Sequence, residues 1–242
     1  MYELLKKYIP DDHSRQVNSE YYIDYIFQKE PKIKKVMDLG CGEGNSVDLF
    51  HKKNPNIKWV GVDIESSPEV KSRTRTDVEF ITYDGIHIPF DNNHFDLIYC
   101  RQVFEHVRYP QKLMKEIHRV LKPGGYLIGS TSQLEPFHSY SIWNYTPYGF
   151  YLLLKGAGLQ LVELRPGIDS FTLICRRYLG RPGFFTKWWE KESPFNLISS
   201  FFGKAKRTSP KFVNGNKLLF CGQFCFLVRK PKETAGKKKN KL

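Results

Sequence analysis

Three glycines alternate with other residues in the segment 40–44, directly after a short apolar run. The run, residues 35–39, predicts a buried β-strand, and a helix is predicted from there to about Lys53, with Asn45 or Ser46 as its cap. Glycine allows a tight turn and lets a ligand approach without a Cβ in the way. Because the first turn of a helix offers free N–H groups to anions, this pattern predicts a nucleotide-type binding loop.

The spacing of the glycines separates the possible ligands. A dinucleotide-binding loop has the pattern G-x-G-x-x-G, whereas Asn45 stands here at the third glycine position. The segment also lacks the Lys-Ser/Thr ending of a phosphate-binding P-loop. Since a plain strand-to-helix turn would also use glycines, the interpretation depends on the segments that follow.

Two carboxylates follow the next two predicted strands. Asp63 ends the strand predicted over residues 58–62, and Asp84 comes directly after the strand predicted over 78–83. A carboxylate at the C-terminal end of such a strand can accept hydrogen bonds from both hydroxyls of a ribose. The alternative for both residues is capping of the strand end.

Four motifs in order resemble the class I S-adenosylmethionine-dependent methyltransferases, in particular their small-molecule (type 11-like) branch. They are a D-x-G-C-G-x-G loop, an F-D-x-I stretch in a strand over 95–99, an E-H-V segment, and an L-K-P-G-G turn before a strand over 126–130. The resemblance covers about residues 34–162. It implies a Rossmann-like fold, S-adenosyl-L-methionine as cofactor, and in-line methyl transfer, in which positioning of the reactants supplies much of the catalysis.

The resemblance also implies cofactor-binding positions. Asp38 would orient the amino group of the cofactor, Asp63 would bind the ribose hydroxyls, and Asp84 would accept from the adenine amino group. Either Arg101 or Gln102 would contact the methionine portion, and the sequence does not distinguish between them. The full set of implied cofactor-binding residues is Asp38, Gly40, Gly42, Gly44, Asp63, Ile64, Asp84, Gly85, Arg101 and Gln102.

Glu105 and His106 follow the fourth predicted strand, near where the methyl group should point. Some quinone and RNA methyltransferases use an E-x-x-E-H segment at this place to hold a divalent metal, but Gln102 replaces the first acid here. We therefore expect no metal site. His106 is a candidate general base, a role worth roughly 10²–10⁴-fold in rate, and the alternative is a structural histidine that caps a helix.

The segment 135–150, after the fifth predicted strand, combines acidic, imidazole, phenol and indole side chains. Ligands bind at this edge of the sheet in such folds. Carboxylates suit hydroxyl groups and flat rings suit a pyranose face, so the segment favours a glycan-like acceptor; it also resembles a loop of methyltransferases in surface-glycan biosynthesis. The alternative is an ordered loop that covers the core. The candidates are His138 as a second catalytic residue and Glu105, Glu135, Tyr140 and Tyr145 as substrate-binding residues.

The order of the predicted elements gives the fold class. Alternating strands and helices predict an α/β, doubly wound, seven-stranded sheet that is mostly parallel. The last strand, over 218–228, is expected to be antiparallel and to lie between strands five and six. We expect a helical prelude over 1–30, which either covers the cofactor pocket or packs on the core, a methyltransferase domain over 31–230, and a basic disordered tail over 231–242.

An aromatic-rich insertion, residues 167–216, precedes the last strand and is called here the inserted cap. Such a segment can extend the core, form a lid over the acceptor, or contact a membrane surface. Its large apolar residues are Phe184, Phe185, Trp188 and Trp189, followed at helical spacing by Phe195, Leu197, Ile198, Phe201 and Phe202.

The composition restricts the class of protein further. The 242 residues carry a net charge of +13, and 40% of them are hydrophobic. No apolar run is long enough to span a bilayer and the first residues show no signal-peptide core, which predicts a cytoplasmic protein with, as an option, peripheral contact to the inner membrane face. The five cysteines form no C-x-x-C pair, so neither a zinc site nor a disulfide framework is indicated.

These observations favour an O-methyltransferase acting on a small or glycan-like acceptor, and they leave the oligomeric state open. The alternatives are a quinone- or lipid-type acceptor at a membrane surface, an RNA or protein methyltransferase, and a non-catalytic binding protein. Nucleic acid is disfavoured despite the basic charge, because the sequence shows neither an N/D-P-P-Y/F tetrapeptide nor an RNA-binding module. The intact glycine loop with Asp63 and Asp84 argues against loss of catalysis.

Overall fold

The computed structural model describes residues 2–136 and 138–232, and their strands form one seven-stranded sheet of order β3-β2-β1-β4-β5-β7-β6. The strands are β1 (Lys35–Leu39), β2 (Lys58–Ile64), β3 (Glu79–Tyr83), β4 (Phe95–Arg101), β5 (Leu121–Ser132), β6 (Gln160–Pro166) and β7 (Gln223–Arg229). Neighbours from β3 to β5 pair in parallel, and β7 runs antiparallel to both β5 and β6. This confirms the predicted Rossmann-like sheet and the place of its antiparallel last strand.

Helices lie between the strands and on both faces of the sheet. They are α1 (Tyr2–Leu5), α2 (Tyr21–Lys29), α3 (Ser46–Lys53), α4 (Pro68–Ser72), α5 (Pro110–Val120), α6 (Pro147–Gly156), α7 (Ser170–Tyr178), α8 (Pro194–Ala205) and α9 (Pro210–Phe220), with 3₁₀ turns at Lys6–Tyr8, Phe104–His106 and Gly183–Trp189. None of the helices in the described ranges is long and apolar enough to cross a bilayer.

The apolar side chains of each central strand divide between two buried clusters because successive residues point to opposite faces. In β1, Met37 joins the cluster that contains Ile117 of α5, whereas Val36 joins the cluster that contains Ile23 of α2 and Phe50 of α3. Both faces of the sheet are therefore covered, which explains why the strands read as nearly continuous apolar runs.

Two strands begin five residues away from the start that the sequence predicted. The last strand was expected to begin at Leu218, but residues up to Phe220 belong to α9, which starts behind a Ser209 cap whose hydroxyl accepts from the Phe212 N–H at 3.3 Å. An apolar run of this length suits a helix as well as a strand, so its periodicity did not decide the matter. The fifth strand begins at Leu121 rather than residue 126 and passes an irregularity in its pairing with β4.

The inserted cap forms α7, the third 3₁₀ turn, α8 and the first half of α9, and it packs against the N-terminal prelude. Gln16 joins the two: its amide nitrogen donates to the carbonyls of Trp188 at 2.7 Å and Lys191 at 3.1 Å. The predicted basic tail lies, from residue 233 onward, outside the described residues.

Candidate active site

The glycine loop after β1 has a backbone that only glycine adopts easily. Gly40 and Gly44 have φ values of +73° and +84°. A Cβ on Gly40 would lie 2.2 Å from Cγ2 of Val103, and one on Gly44 would lie 2.6 Å from the Phe80 ring. Both positions therefore require glycine for conformation and for space, and the loop stays narrow enough for a ligand to approach its backbone.

Asp38 is buried at the end of β1 and is held by Ser46. The Ser46 hydroxyl donates to Oδ2 of Asp38 at 2.5 Å and accepts from Nε1 of Trp59 at 3.0 Å. Burial raises the pKa of Asp38 to about 7. Asn45 occupies the N-cap position of α3, as predicted, but it makes no side-chain capping bond, because its amide donates to Glu43.

Asp63, in β2, is bonded directly to the glycine loop. Its Oδ2 accepts from the Gly42 N–H at 2.7 Å, and its Oδ1 accepts from the Ile64 N–H at 2.8 Å. Partial burial raises the pKa of this carboxyl. Each oxygen keeps a further lone pair, so Asp63 can hold the loop and accept from two hydroxyls at once.

Asp84 is exposed after β3 and closes a local turn. One oxygen accepts from the backbone N–H groups of Ile86 and His87, and the other lies 2.6 Å from Nδ1 of His87. The hydrogen bond with the His87 ring lowers the pKa of Asp84 to about 2. A Cβ on Gly85 would lie 3.9 Å from Ile64, so the segments after β2 and β3 lie side by side.

A cleft of about 600 Å³ lies over the glycine loop. Arg101, at the end of β4, lines the cleft and pairs with Glu20 of the prelude, its Nη1 lying 3.4 Å from Oε1. Glu20 and Glu69 also line the cleft, although sequence reasoning missed them because they lie outside the motifs. The presence of Glu20 favours the prediction that the prelude covers the cofactor pocket.

Gln102, next along the chain, faces away from the cleft. It has a φ of +54°, and its side chain lies among Ser130, Ser132 and Glu105. In the amide orientation that satisfies these neighbours, its nitrogen donates to Oε1 of Glu105 at 2.8 Å. Of the two residues that the sequence left open, Arg101 lines the cleft over the glycine loop and Gln102 belongs to a second group of side chains.

That second group is built around Glu105, which is fully buried. Oε2 accepts from the Thr131 hydroxyl at 2.9 Å and Oε1 from the Ser132 hydroxyl at 3.2 Å, both at the end of β5. Burial raises the pKa of Glu105 to about 7. A carboxyl with a pKa near neutrality is suited to proton transfer.

His138 lies between two carboxylates. Its Nε2 is 3.7 Å from Oε1 of Glu105 and its Nδ1 is 3.4 Å from Oε1 of Glu135, so a protonated ring would pair with both. The ring of His106 stands perpendicular to it, at 5.0 Å between centroids. Burial lowers the pKa of His106, which keeps this ring neutral and able to accept a proton at pH 7. The structure thus brings both histidines and both glutamates together.

The loop after β5 is fastened to the Phe104–His106 turn by its backbone. The N–H groups of Ile142 and Trp143 donate to the Glu105 carbonyl at 2.6 and 3.0 Å. These contacts place residues from two distant parts of the chain in one site, which no sequence spacing indicates.

The two predicted substrate tyrosines of this loop lie in different surroundings. Tyr140 is 83% exposed. The Tyr145 hydroxyl donates to the Phe104 carbonyl at 3.1 Å, and its ring packs on Phe150. Tyr145 therefore holds the loop in place, and its assignment as a substrate-binding residue stays a prediction.

A metal ion has three possible ligands in this site. One donor atom each of Glu105, His106 and His138 lies within 4.8 Å of the others. These side chains would have to draw closer around an ion, since zinc–ligand distances are about 2.0–2.2 Å. In the observed arrangement both ring nitrogens of His138 instead face carboxylates.

Comparisons with known proteins agree with this geometry. Residues 37–129 match the family described as a methyltransferase domain. The chain is 25% identical over 197 residues to phosphoethanolamine N-methyltransferase 3 of Arabidopsis thaliana, which covers 73% of this chain and 40% of that protein. It is 28% identical over 161 residues to the ubiquinone biosynthesis O-methyltransferase of Actinobacillus pleuropneumoniae, covering 62% of this chain and 63% of that protein. Residues 37–129 are therefore a methyltransferase domain, similar to those of S-adenosylmethionine-dependent enzymes.

Solved structures support the assignment of the fold. Phosphoethanolamine N-methyltransferase 2 of Haemonchus contortus, in complex with S-adenosyl-L-methionine, aligns with a TM-score of 0.53 at 18% identity, covering 88% of this chain and 53% of that one. The [4+2]-cyclase SpnF aligns with a TM-score of 0.56 at 19% identity, covering 96% and 94%. The cofactor of the family is S-adenosyl-L-methionine, and the narrow glycine loop with Asp63 beside it fits that molecule.

Proposed function

We propose that this methyltransferase transfers a methyl group to a hydroxyl of a small, glycan-like acceptor. The observation that carries the proposal is that consecutive residues at the end of β4 belong to two neighbouring sites. Arg101 lines the cofactor cleft, Gln102 joins the group around Glu105, and Val103 between these sites packs on Gly40. The cleft over the glycine loop, which would hold the methyl donor, is thereby adjacent to the group of side chains around Glu105, which could accept a proton.

The cofactor supplies a methyl group activated by its sulfonium, and the protein positions the reactants. Asp63 would hold the ribose end of the donor, Asp38 would orient its amino group, and Arg101 would contact its methionine portion. Holding both reactants in line can account for on the order of 7–11 kcal/mol of the barrier.

The acceptor hydroxyl has to lose a proton as the new bond forms. We assign its acceptance to His106, whose lowered pKa leaves the ring neutral, with His138 as the second catalytic residue. Glu105 and Glu135 flank His138 and stabilise positive charge that develops on its ring. No metal ion is needed for this proton transfer.

The chemistry of the acceptor is argued from the loop after β5. Tyr140 and Trp143 expose 83% and 44% of their surface beside the histidines, and Glu135 offers a carboxylate. Flat rings and carboxylates together suit the faces and hydroxyls of a sugar. The names of the relatives point to varied acceptors, which is why the acceptor is inferred from this chain's own loop.

Calorimetry and a turnover assay test the proposal together. The protein is titrated with S-adenosylmethionine, and formation of the demethylated product is measured over a panel of free sugars, nucleotide sugars and phenols. We expect His106→Ala to lose turnover by at least about 10²-fold while the affinity for the donor stays unchanged. His94→Ala, at the opposite edge of the sheet, is the matched control. Unaltered turnover in His106→Ala would contradict the assigned acceptor site, and failure to bind the donor would contradict the cofactor cleft.

A further inference from the structure

Helix α8 of the inserted cap exposes large apolar side chains and turns polar or small residues toward the protein. Five large apolar side chains point to solvent, and on a helical wheel they share an arc of about 160°. We call them the α8 outer face: Phe195, Leu197, Ile198, Phe201 and Phe202, with exposures of 44%, 50%, 48%, 68% and 56%. The prediction that the cap only extends the core does not account for the α8 outer face, because the apolar residues of this face are exposed to solvent.

The side of α8 that faces the protein is polar or small. Asn196 is 2% exposed and donates to Gln16 at 2.7 Å and to the Gly167 carbonyl at 2.9 Å. The Ser200 hydroxyl accepts from buried Lys217 at 2.7 Å, and a Cβ on Gly203 would lie 2.3 Å from Val213. These hydrogen bonds and this close approach fix the rotation of the helix, so the outward direction of the apolar face is set by buried contacts.

The α8 outer face continues onto the neighbouring helices. The ring of Phe195 stacks on Phe171 of α7 at 4.1 Å between centroids, and Phe171 lies 6.3 Å from Phe220 of α9. A groove of about 360 Å³ between α8 and α9 is lined by more of these rings, with Lys206 at its edge. Contiguous exposed apolar surface of this kind marks an interaction site.

The charge around this surface is predominantly positive. Residues 170–222 contain ten lysines and arginines and two glutamates, and residues 193–232 contain no aspartate or glutamate. Lys204, Lys206 and Arg207 lie at the C-terminal end of α8 and are exposed. Apolar aromatic side chains beside cations are the arrangement of helices that lie in the interface of an anionic membrane.

We propose that the α8 outer face docks this protein on an anionic lipid bilayer, with α8 parallel to the surface. The two tryptophans of the cap are not the anchor: Trp188 and Trp189 are half-buried, and Lys187 and Arg176 lie over their rings at 4.6 and 5.1 Å. The helix supplies the apolar contact, and the cations at its end supply attraction to the lipid head groups.

The α8 outer face is connected through α9 to the proposed acceptor site. The chain leaves α9 at Phe220 and reaches the loop after β5, where the Gln133 N–H donates to the Gly222 carbonyl at 2.7 Å and Gln223 donates to Glu135 at 2.8 Å. The chain that follows α9 therefore connects the helices of the cap to the acceptor site. An acceptor carried on a lipid is consistent with this placement, although the membrane contact itself does not rest on the proposed function.

Co-sedimentation with vesicles tests the inference on the full chain. Vesicles of phosphatidylcholine with phosphatidylglycerol are compared with vesicles of phosphatidylcholine alone, at low and high salt. We expect binding to the anionic vesicles that weakens with salt, and roughly tenfold or more weaker binding for Leu197→Ser with Phe201→Ser. Lys204→Gln with Lys206→Gln should reduce both the binding and its dependence on salt.

A matched control comes from α6, where Tyr148 and Leu152 have the same four-residue spacing and exposures of 37% and 46%. Tyr148→Ser with Leu152→Ser should leave vesicle binding unchanged, and circular dichroism verifies the fold of each variant. Absence of binding at low salt, or equal binding by the α8 variant and wild type, would overturn the proposal. Sedimentation equilibrium tests whether a second copy of this chain covers the α8 outer face instead. A dimer that the α8 variant abolishes, without vesicle binding, would make the face a contact between two copies and would overturn the proposal.

Discussion

Asp63 illustrates how one side chain can serve both the fold and a ligand. Its carboxylate bonds the Gly42 N–H and so ties β2 to the glycine loop. Each oxygen of the same carboxylate keeps a further lone pair, to which a ribose hydroxyl could donate. Substitution therefore affects the ligand directly and the loop indirectly.

We expect Asp63→Ala to weaken binding of S-adenosylmethionine by about 1.5–3 kcal/mol, since hydrogen bonds to a charged acceptor are lost. Asp63→Asn should lose less, because its amide oxygen still accepts. Isothermal titration measures both. Asp91→Ala, exposed at the opposite edge of the sheet, is the control, and a folded Asp63→Ala variant with wild-type affinity would contradict the ribose assignment.

Glu105 should make the stability of the protein depend on pH. Burial raises its pKa from 4.5 to about 7, so the folded state binds a proton between these values that the unfolded state has released. The free energy of unfolding then falls as pH rises from about 4.5 to about 7, by on the order of 3 kcal/mol. Glu105→Gln removes this contribution because an amide does not titrate.

Denaturant unfolding at pH 4 and pH 8 checks this expectation. Relative to wild type, Glu105→Gln should gain on the order of 3 kcal/mol in unfolding free energy between the two pH values, since the neutral forms resemble each other at pH 4. Other titrating groups cancel in this comparison. A constant difference between the two proteins would show that Glu105 titrates normally.

At the scale of elements, the regular part of the fold could be predicted and the contacts between loops could not. Strand β1, its glycine loop and Asp63 are local patterns of periodicity and turn chemistry, and these predictions held for the fold. His138 reaches Glu105 only because the backbone of the loop after β5 bonds the Phe104–His106 turn, a contact without any local signal. The start of β7 was missed because the run from Leu218 suits both a strand and a helix.

At the end of β4, the residue type at position 102 decides whether the neighbouring site favours a divalent ion. The Gln102 amide donates to Glu105, whereas a carboxylate at this position would repel it. We expect Gln102→Glu to create affinity for divalent ions by placing two carboxylates beside His106 and His138. Thermal shift with zinc and magnesium measures this directly.

For the wild-type protein, the corresponding expectation is that dialysis against a chelator leaves turnover unchanged. Gln102→Ala is the matched variant, since it removes the amide without adding charge. Loss of wild-type activity on chelation, restored by magnesium or zinc, would show that the ligand atoms of Glu105, His106 and His138 already suffice for a metal.

At the scale of the whole molecule, the buried side chain of Gln16 joins the prelude to the inserted cap. The Gln16 oxygen accepts from the Ser193 N–H, the Ser193 hydroxyl and the Asn196 amide, at 3.0, 2.8 and 2.7 Å. Its nitrogen donates to the backbone carbonyls of Trp188 and Lys191. The segment that contributes Glu20 to the cofactor cleft is thereby fastened to the helix that carries the α8 outer face.

Gln16→Leu should therefore loosen the cap far from the sheet. The substitution removes the acceptor of the Ser193 N–H, the Ser193 hydroxyl and one of the two Asn196 amide hydrogens, at a cost of about 1–3 kcal/mol for each buried donor left unpaired. We expect faster amide hydrogen exchange in α8 and unchanged exchange in α5, whose stripe of Leu113, Met114, Ile117 and Val120 is buried against the sheet. Gln28→Leu, on the exposed side of α2, is the control. Equal acceleration in α5 and α8 would mean that the cap and the sheet unfold as one unit, and that Gln16 stabilises the whole protein rather than the orientation of the docking face.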